Sequence, residues 1–451
     1  MPLDNKTTSS RPEEITSVIH QSIPVEISDL IIDHCRGRFS SLKTCSTVSR
    51  AWGLRARFHI FKTIHLRFEN FESFLYLLDK SRAAEPNVRF RGPAEIVQHL
   101  ILEEGAYSPN EWVDKAISSL TAHLAPNITN LTILDFNFTT PTSHEGEAQA
   151  APLPLPFTLQ CPGAFERITH LRLEAPIFLS YEEFVGFLCS FPLLQSLFLG
   201  LERHSATTRI FPGFDQQKIR QHKLPLSVRR LGLNLKDQMI FPWLFDQPCL
   251  DNIDRLEVFF KDTSLLIPIS KLLKRVGTSL RDLYISFPIE GPYPESADDD
   301  PSTPKFKFTL AHNPKLRRLS FPGIVLDNQS AFTWLPELLS TTLIVTSPDS
   351  LPSYSPIEEL QFYLFVSPMN LLATCWPWTE FHELLKSPSP SGSRSFTGLK
   401  RITFIVDPLI NGTDKVSSRV RKRLPILDGE GVLWFREGKY RVQYERKSHS
   451  S

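Results

Sequence analysis

The sequence predicts an α/β chain: a short three-helix unit near the N-terminus, then a long, irregular solenoid of helices and short strands. Three observations lead there. A six-residue pattern recurs along most of the 451 residues, amphipathic segments fall between its copies, and the apolar stretch "IPVEISDLIIDHC" (23–35) precedes them all. A helix this apolar requires something to cover it.

Residues 1–20 are polar, with little to bury, and are expected to be disordered. Pro24 suits the first turn of a helix, where its missing N–H would have no partner in any case. Ile27, Leu30, Ile31 and His34 then fall on one face, and Gly37 is placed to stop the helix. A second helix is expected over "SSLKTCSTVSRAW" (40–52), capped by Ser40 or Ser41. Its apolar stripe is Leu42, Cys45, Val48 (or Ser49) and Trp52. The third segment, "LRARFHIF" (54–61), brings Phe58 and Phe61, whereas Gly53 fits no pattern. A unit of roughly 45 residues buries a low fraction of its surface and is marginal alone, so it needs a partner surface.

Those three segments, "IPVEISDLIIDHC", "SLKTCSTVSRAW" and "ARFHIFKTIHL", resemble the F-box domain in the form common among fungal F-box-like proteins. The match covers residues 23 to about 66, with Ile23 where the family usually carries Leu. The resemblance implies docking onto the Skp-type adaptor of a Skp–cullin–F-box ubiquitin ligase, while the rest of the chain captures a target protein. Carried over position by position, the adaptor-binding residues are Ile23, Pro24, Ile27, Leu30, Ile31, Leu42, Val48 and Trp52. Trp52 is the strongest anchor expected, because hot spots favour tryptophan in desolvated pockets. The competing reading makes these side chains a helical cap on the domain that follows.

From Phe61 onward the pattern is apolar, two mostly polar residues, Leu or Ile, any residue, apolar. It appears as "FKTIHL" (61), "VQHLIL" (97), "ITNLTI" (128), "ITHLRL" (168), "LQSLFL" (194) and "VRRLGL" (228). It continues as "IDRLEV" (253), "LRDLYI" (280), "LRRLSF" (316), "IEELQF" (357) and "LKRITF" (399), at intervals of 25 to 42 residues. Pro126, Pro192, Pro225, Pro314 and Pro356 stand just ahead of several copies. Between the copies, helices are expected over 71–81, 110–124, 180–191, 270–280 and 378–387. Helix, Pro-marked turn and short strand resemble the unit of a leucine-rich repeat, here degenerate, longer than usual and mostly lacking the Asn or Cys after the strand.

Each such unit cannot bury its apolar sides alone, and stacking builds one core. Parallel strands would line a concave face and expose Arg172, Phe198, Gly232, Glu257, Tyr284, Ser320, Gln361 and Thr403. Of these, Arg172, Phe198, Glu257, Tyr284 and Gln361 are the candidate substrate face. The alternative is that each is simply a solvated strand residue. The organisation expected is therefore a disordered 1–20, an F-box-like 21–66 and a solenoid over 67–451. Pro-, Ser- and charge-rich insertions fall near 139–163, 290–304 and 386–398. "RVRKR" (419–423) reads as a solvated basic turn or a nuclear-import signal, and "GVLWFREGKYRVQYERK" as one or two closing strands.

A net charge of +1 supplies no overall field for nucleic acid or a membrane surface. With Pro at 36 and Gly at 19, the composition favours rigid turns over phosphate-cradling loops. The six cysteines (35, 45, 161, 189, 249 and 375) show no C-x-x-C spacing, which favours buried free thiols in a reducing compartment. Neither a signal-peptide pattern nor an apolar run of the ~18 residues that span a bilayer is present, so the expected location is cytoplasmic and/or nuclear. No P-loop, dinucleotide, nucleophile-elbow or HExxH motif occurs, and the 13 His residues are dispersed. The expectation is a non-catalytic ligase subunit that needs no cofactor or metal and binds neither nucleic acid nor membrane. The alternative is an interaction scaffold whose F-box is not used in a ligase.

Overall fold

The computed structural model describes residues 23–83, 92–104, 112–124, 126–135, 166–174, 181–201, 216–235, 238–260, 263–287, 308–325, 334–342, 355–365, 378–386, 396, 398–406 and 413–438. The expected disordered N-terminus and nearly all of the three expected insertions lie outside these residues. The chain divides into two compact units, one ending at Thr63 and one beginning at Ile64.

The first unit holds α1 (Val25–His34), α2 (Phe39–Val48) and α3 (Arg50–Lys62). Pro24 stands at the N-cap of α1, and its carbonyl accepts the Ser28 amide at 3.0 Å. Gly37 turns the chain toward α2 with φ +86°, a backbone state that side-chain-bearing residues rarely adopt. The second and third helices divide differently from expectation. Ser49 is extended (φ −156°, ψ 168°), and its hydroxyl accepts the Trp52 amide at 3.2 Å, so Ser49 caps a new helix and Trp52 opens α3. Arg38, not Ser40 or Ser41, is the N-cap of α2. Gly53 also finds its reason, since a Cβ there would lie 3.1 Å from the Ser46 carbonyl oxygen, and its absence lets α3 approach α2.

This unit closes a small core of Ile32, Leu42, Cys45 and Ala56, with Cys35, Trp52 and Ile60 packed around it. Asp33 on α1 ties the unit together from the outside. Its carboxylate accepts Arg55 Nε and Nη2 at 2.8 and 2.7 Å, and His59 Nε2 lies 2.7 Å away.

The second unit is α/β. In chain order it runs β1 (Thr63–Leu66), α4 (Phe68–Ala83), α5 (Pro93–Ile96), β2 (His99–Glu104), α6 (Trp112–Leu124), β3 (Asn130–Asp135), β4 (His170–Glu174) and α7 (Tyr181–Cys189). Next come β5 (Ser196–Leu201), α8 (Gln216–Ile219), β6 (Arg230–Leu235), α9 (Phe241–Phe245), β7 (Arg255–Phe260), α10 (Leu266–Val276) and β8 (Asp282–Ser286). It ends with β9 (Arg318–Val325), α11 (Trp334–Ser340), β10 (Glu359–Phe365), α12 (Trp378–Lys386), β11 (Arg401–Val406), α13 (Thr413–Arg423), α14 (Pro425–Gly429) and β12 (Leu433–Glu437). All eleven copies of the pattern become strands, and the closing segment supplies the twelfth.

The strands form one sheet whose spatial order is their chain order, β1 to β12, and every pair from β2 to β12 is parallel. The same link joins successive strand starts from β2 to β11. Two successive amides of one strand donate to a single carbonyl of the strand before it. The Thr169 and His170 amides meet the Thr129 carbonyl at 2.8 and 3.1 Å, and the Gln195 and Ser196 amides meet that of Thr169 at 2.8 and 2.9 Å. The carbonyls of Gln98, Gln195, Arg229, Asp254, Arg281, Arg317 and Glu358 repeat the arrangement.

That link aligns the pattern's leucine across the sheet. Leu100, Leu131, Leu171, Leu197, Leu231, Leu256, Leu283, Leu319, Leu360, Ile402 and Leu433 form one buried row in register. Two residues on, the row ends in stacked rings: Phe321 on Phe362 at 5.4 Å, Phe362 on Phe404 at 5.4 Å, and Phe404 on Phe435 at 5.5 Å. The helices cover this face with their own apolar stripes, as Ile117, Leu120 and Leu124 do from α6 and Ile269, Leu272 and Val276 do from α10, and all join one core. "RVRKR" proves to be the last turn of α13, not a loop turn. Val416 and Val420 of α13 are buried, Arg421 pairs with Asp428, and its guanidinium lies 5.1 Å from the Phe435 ring.

Phe362 is fully buried in the centre of the ring stack, with Phe381 edge-on at 5.9 Å. Phe362→Ala is expected to lower unfolding stability by about 3–5 kcal/mol, read as a shift in the urea midpoint of the chain. A change below about 1 kcal/mol would show that the stack is not a core element.

Candidate functional site

Two surfaces carry chemistry that the cores do not use. On the first unit, α1 buries Ser28 and Ile32, so the stripe of Ile27, Leu30 and Ile31 faces outward. Leu30 is 59% exposed, and Ile23, Pro24 and Val48 are also open to solvent. Leu42, in contrast, is 3% exposed and belongs to the unit's own core, while Trp52 is half-buried against that core. Of the eight residues singled out by resemblance, six are thus available to a partner as they stand. Sequence reasoning missed Val25, Phe39 and Leu54, which are also exposed. Phe39 was hidden by starting α2 one residue late, and Leu54 by reading its segment only for aromatic residues.

The second surface is the sheet face opposite the leucine row. The register brings Arg172, Phe198, Glu257, Tyr284 and Gln361 into a single row, with Gly232 and Ser320 between them and Thr403 following. Not all of that row is exposed. Gly232, Ser320 and Thr403 are buried, because short side chains sit beneath longer neighbours on strands about 4.8 Å away. A Cβ at Gly232 would collide with Phe198 Cδ2, so the Phe198 ring lies across β6 where only glycine leaves room. The Arg172 guanidinium stacks 4.0 Å from the centre of that ring and pairs with Glu174. Arg255 likewise stacks 4.5 Å from the Tyr284 ring while donating to Glu257 at 2.8 Å.

A parallel row one pleat away escaped sequence reasoning: His99, Asn130, His170, Ser196, Arg230, Arg255, Asp282, Arg318, Glu359 and Arg401. Its signal was the polar residue directly before each pattern leucine. Arg318 donates to Asp282 at 2.7 and 2.5 Å, and Arg401 lies 4.7 Å from the Trp434 ring. Over β2 to β7 the two rows line a groove of about 310 Å³. Burial pushes the His99 imidazole below its ordinary pKa, with His170 adding to the effect. Burial and then the nearby Arg230 do the same to His170.

Chemistry elsewhere is subdued. Burial raises the Cys189 and Cys249 thiols to about 12, which disfavours the nucleophilic thiolate, and all four described cysteines are free. Among the described residues no group of three or more His, Cys, Asp or Glu is placed to hold a metal ion, and no helix is long and apolar enough to cross a membrane.

Arg55 and then His59 hold the Asp33 carboxyl well below its ordinary value of 3.8. A carboxylate depressed on folding contributes its stability above the unfolded pKa and loses it as pH falls through the folded one. The helical unit is therefore expected to loosen as pH drops below about 4. Asp33→Asn should flatten that acid response and lower stability at neutral pH by at most about 1 kcal/mol, because both partners are more than a third exposed. Amide exchange across α1 at several pH values measures both effects. The same acid response in the variant would contradict the role of Asp33.

No family model matches this chain, and no curated protein matches it.

Proposed function

We propose that this chain is a non-catalytic substrate-recognition subunit of a Skp–cullin–F-box ubiquitin ligase. In this reading the N-terminal helical unit is an F-box that docks a Skp-type adaptor. The second unit is a degenerate leucine-rich-repeat-like solenoid whose open sheet face receives a target protein. The carrying observation is the stripe of Ile27, Leu30 and Ile31, which points away from a core that is already closed without it. An exposed apolar patch of this kind is the usual mark of a protein interface. Ile23, Val25, Phe39 and Val48 add to the exposed apolar surface of the same small unit.

The solenoid reading draws support from twelve strands laid down in chain order and from the leucine row they share. The subunit would act by proximity, raising the effective concentration of a captured target near the ubiquitin carrier. Its own side chains would take no part in the bond-making step.

Co-purification tests the docking claim. The intact chain is expected to recover a Skp-type adaptor, and Leu30→Glu with Ile31→Glu to reduce that recovery at least tenfold, by about the loss of one hot spot. Both residues are exposed, so the thermal midpoint of the variant should match that of the wild type. Failure of the wild type to recover an adaptor, or undiminished recovery by the variant, would refute the proposal.

A further inference from the structure

The groove over β2 to β7 has more hydrogen-bond donors than it satisfies. Two of its arginines are already engaged: Arg172 with Glu174 and the Phe198 ring, and Arg255 with Glu257. Glu257 is the one carboxylate among the described lining residues, and Arg255 occupies it. Arg230 is different. It is exposed, it lines the groove, and among the described residues its guanidinium has no ion-pair or hydrogen-bond partner. The register places Ser196 directly beside it on β5 and His170 beside Ser196 on β4. The Leu171, Leu197 and Leu231 side chains that follow these residues all point into the core, so His170, Ser196 and Arg230 share the open face.

These three groups span about 10 Å across two strand spacings, with a cation at one end and a hydroxyl between. His170 Nδ1 lies 2.8 Å from Thr169 Oγ1, and when that hydroxyl donates to Nδ1 the ring proton sits on Nε2, from where it can be donated to a bound oxygen. The row contains no carboxylate until Asp282 on β8, which Arg318 holds. We propose that His170, Ser196 and Arg230 seat an oxyanion, a carboxylate or phosphate group, carried by an extended segment of the target protein lying in this groove. The proposal rests on the reading above that the sheet face receives a target.

Charge and shape favour a peptide occupant. One uncompensated arginine suits a single anionic side chain, whereas a nucleic-acid backbone requires several phosphate contacts to bind. The groove crosses six strands, about 24 Å, which is the length of an extended peptide of several residues. Phe198, beside the seat, has Arg172 stacked on its ring and stays half-buried, so its exposed part is what a neighbouring apolar side chain can touch. A bidentate guanidinium–oxyanion pair would give the contact both strength and orientation.

The test selects short random peptides displayed on phage against the full-length protein, its Arg230→Gln variant and a Phe198→Ala variant. The wild type is expected to enrich Asp and Glu at one position. Synthetic forms of a selected peptide carrying Gln there should bind about tenfold more weakly, the scale of one charge-assisted contact. Arg230→Gln should abolish that preference with an unchanged thermal midpoint. A phosphoserine form that binds more tightly than the Glu form would identify phosphate as the preferred group, and the reverse would identify carboxylate. Selected peptides that lack an acidic position yet depend on Phe198 would overturn the oxyanion seat and leave the target-binding face intact. Selection of no peptide by the wild type would overturn both.

Discussion

The architecture depends on one repeated link: at every strand start from β3 to β11, two successive backbone amides donate to one carbonyl at the start of the preceding strand. A parallel ladder without such a clamp can slip, and a slip of one residue would exchange every core side chain for a surface one. The clamp recurs from Gln98 to Glu358 without a change of position, although the spacing between strands varies from 25 to 42 residues. Variation in length is therefore confined to the connections, while the strand starts stay aligned. The leucine row, the ring stack from Phe321 to Phe435, and the two polar rows on the opposite face are all consequences of that alignment.

The N-terminal unit solves a different problem. It has too few residues to enclose all its apolar side chains, and its core accommodates only Ile32, Leu42, Cys45 and Ala56 with three half-buried neighbours. Gly53 and the Asp33–Arg55–His59 contact bring the three helices together around that core. The outward stripe of α1 is what remains. Close helix packing at one side thus leaves the apolar surface of the other side open, and that surface is the one the proposed docking would cover.

The strands were legible because each copy of the pattern encodes the same inward leucine, so even a degenerate repeat remains periodic. The first helix was legible for a similar reason, though periodicity alone did not say which way its stripe pointed. The break at Ser49 was hidden because "TCSTVSRAW" continues a helical apolar rhythm through it, and only the extended backbone and the hydroxyl cap reveal a second helix. Gly53 and Gly232 were opaque because each answers to a neighbour distant in sequence: the Ser46 carbonyl for one, the Phe198 ring for the other. The row through His170, Ser196 and Arg230 was overlooked because "mostly polar" described its members singly. Its meaning arises only when the register sets an imidazole, a hydroxyl and a guanidinium side by side.

Backbone amide exchange on the full-length protein, alone and mixed with a purified Skp-type adaptor, reads out whether the helical unit is a docking surface. Docking is expected to slow exchange over α1 to α3, between Val25 and Lys62, and to leave the strands of the sheet unchanged. Unchanged exchange throughout Val25–Lys62, or protection confined to the sheet, would contradict it.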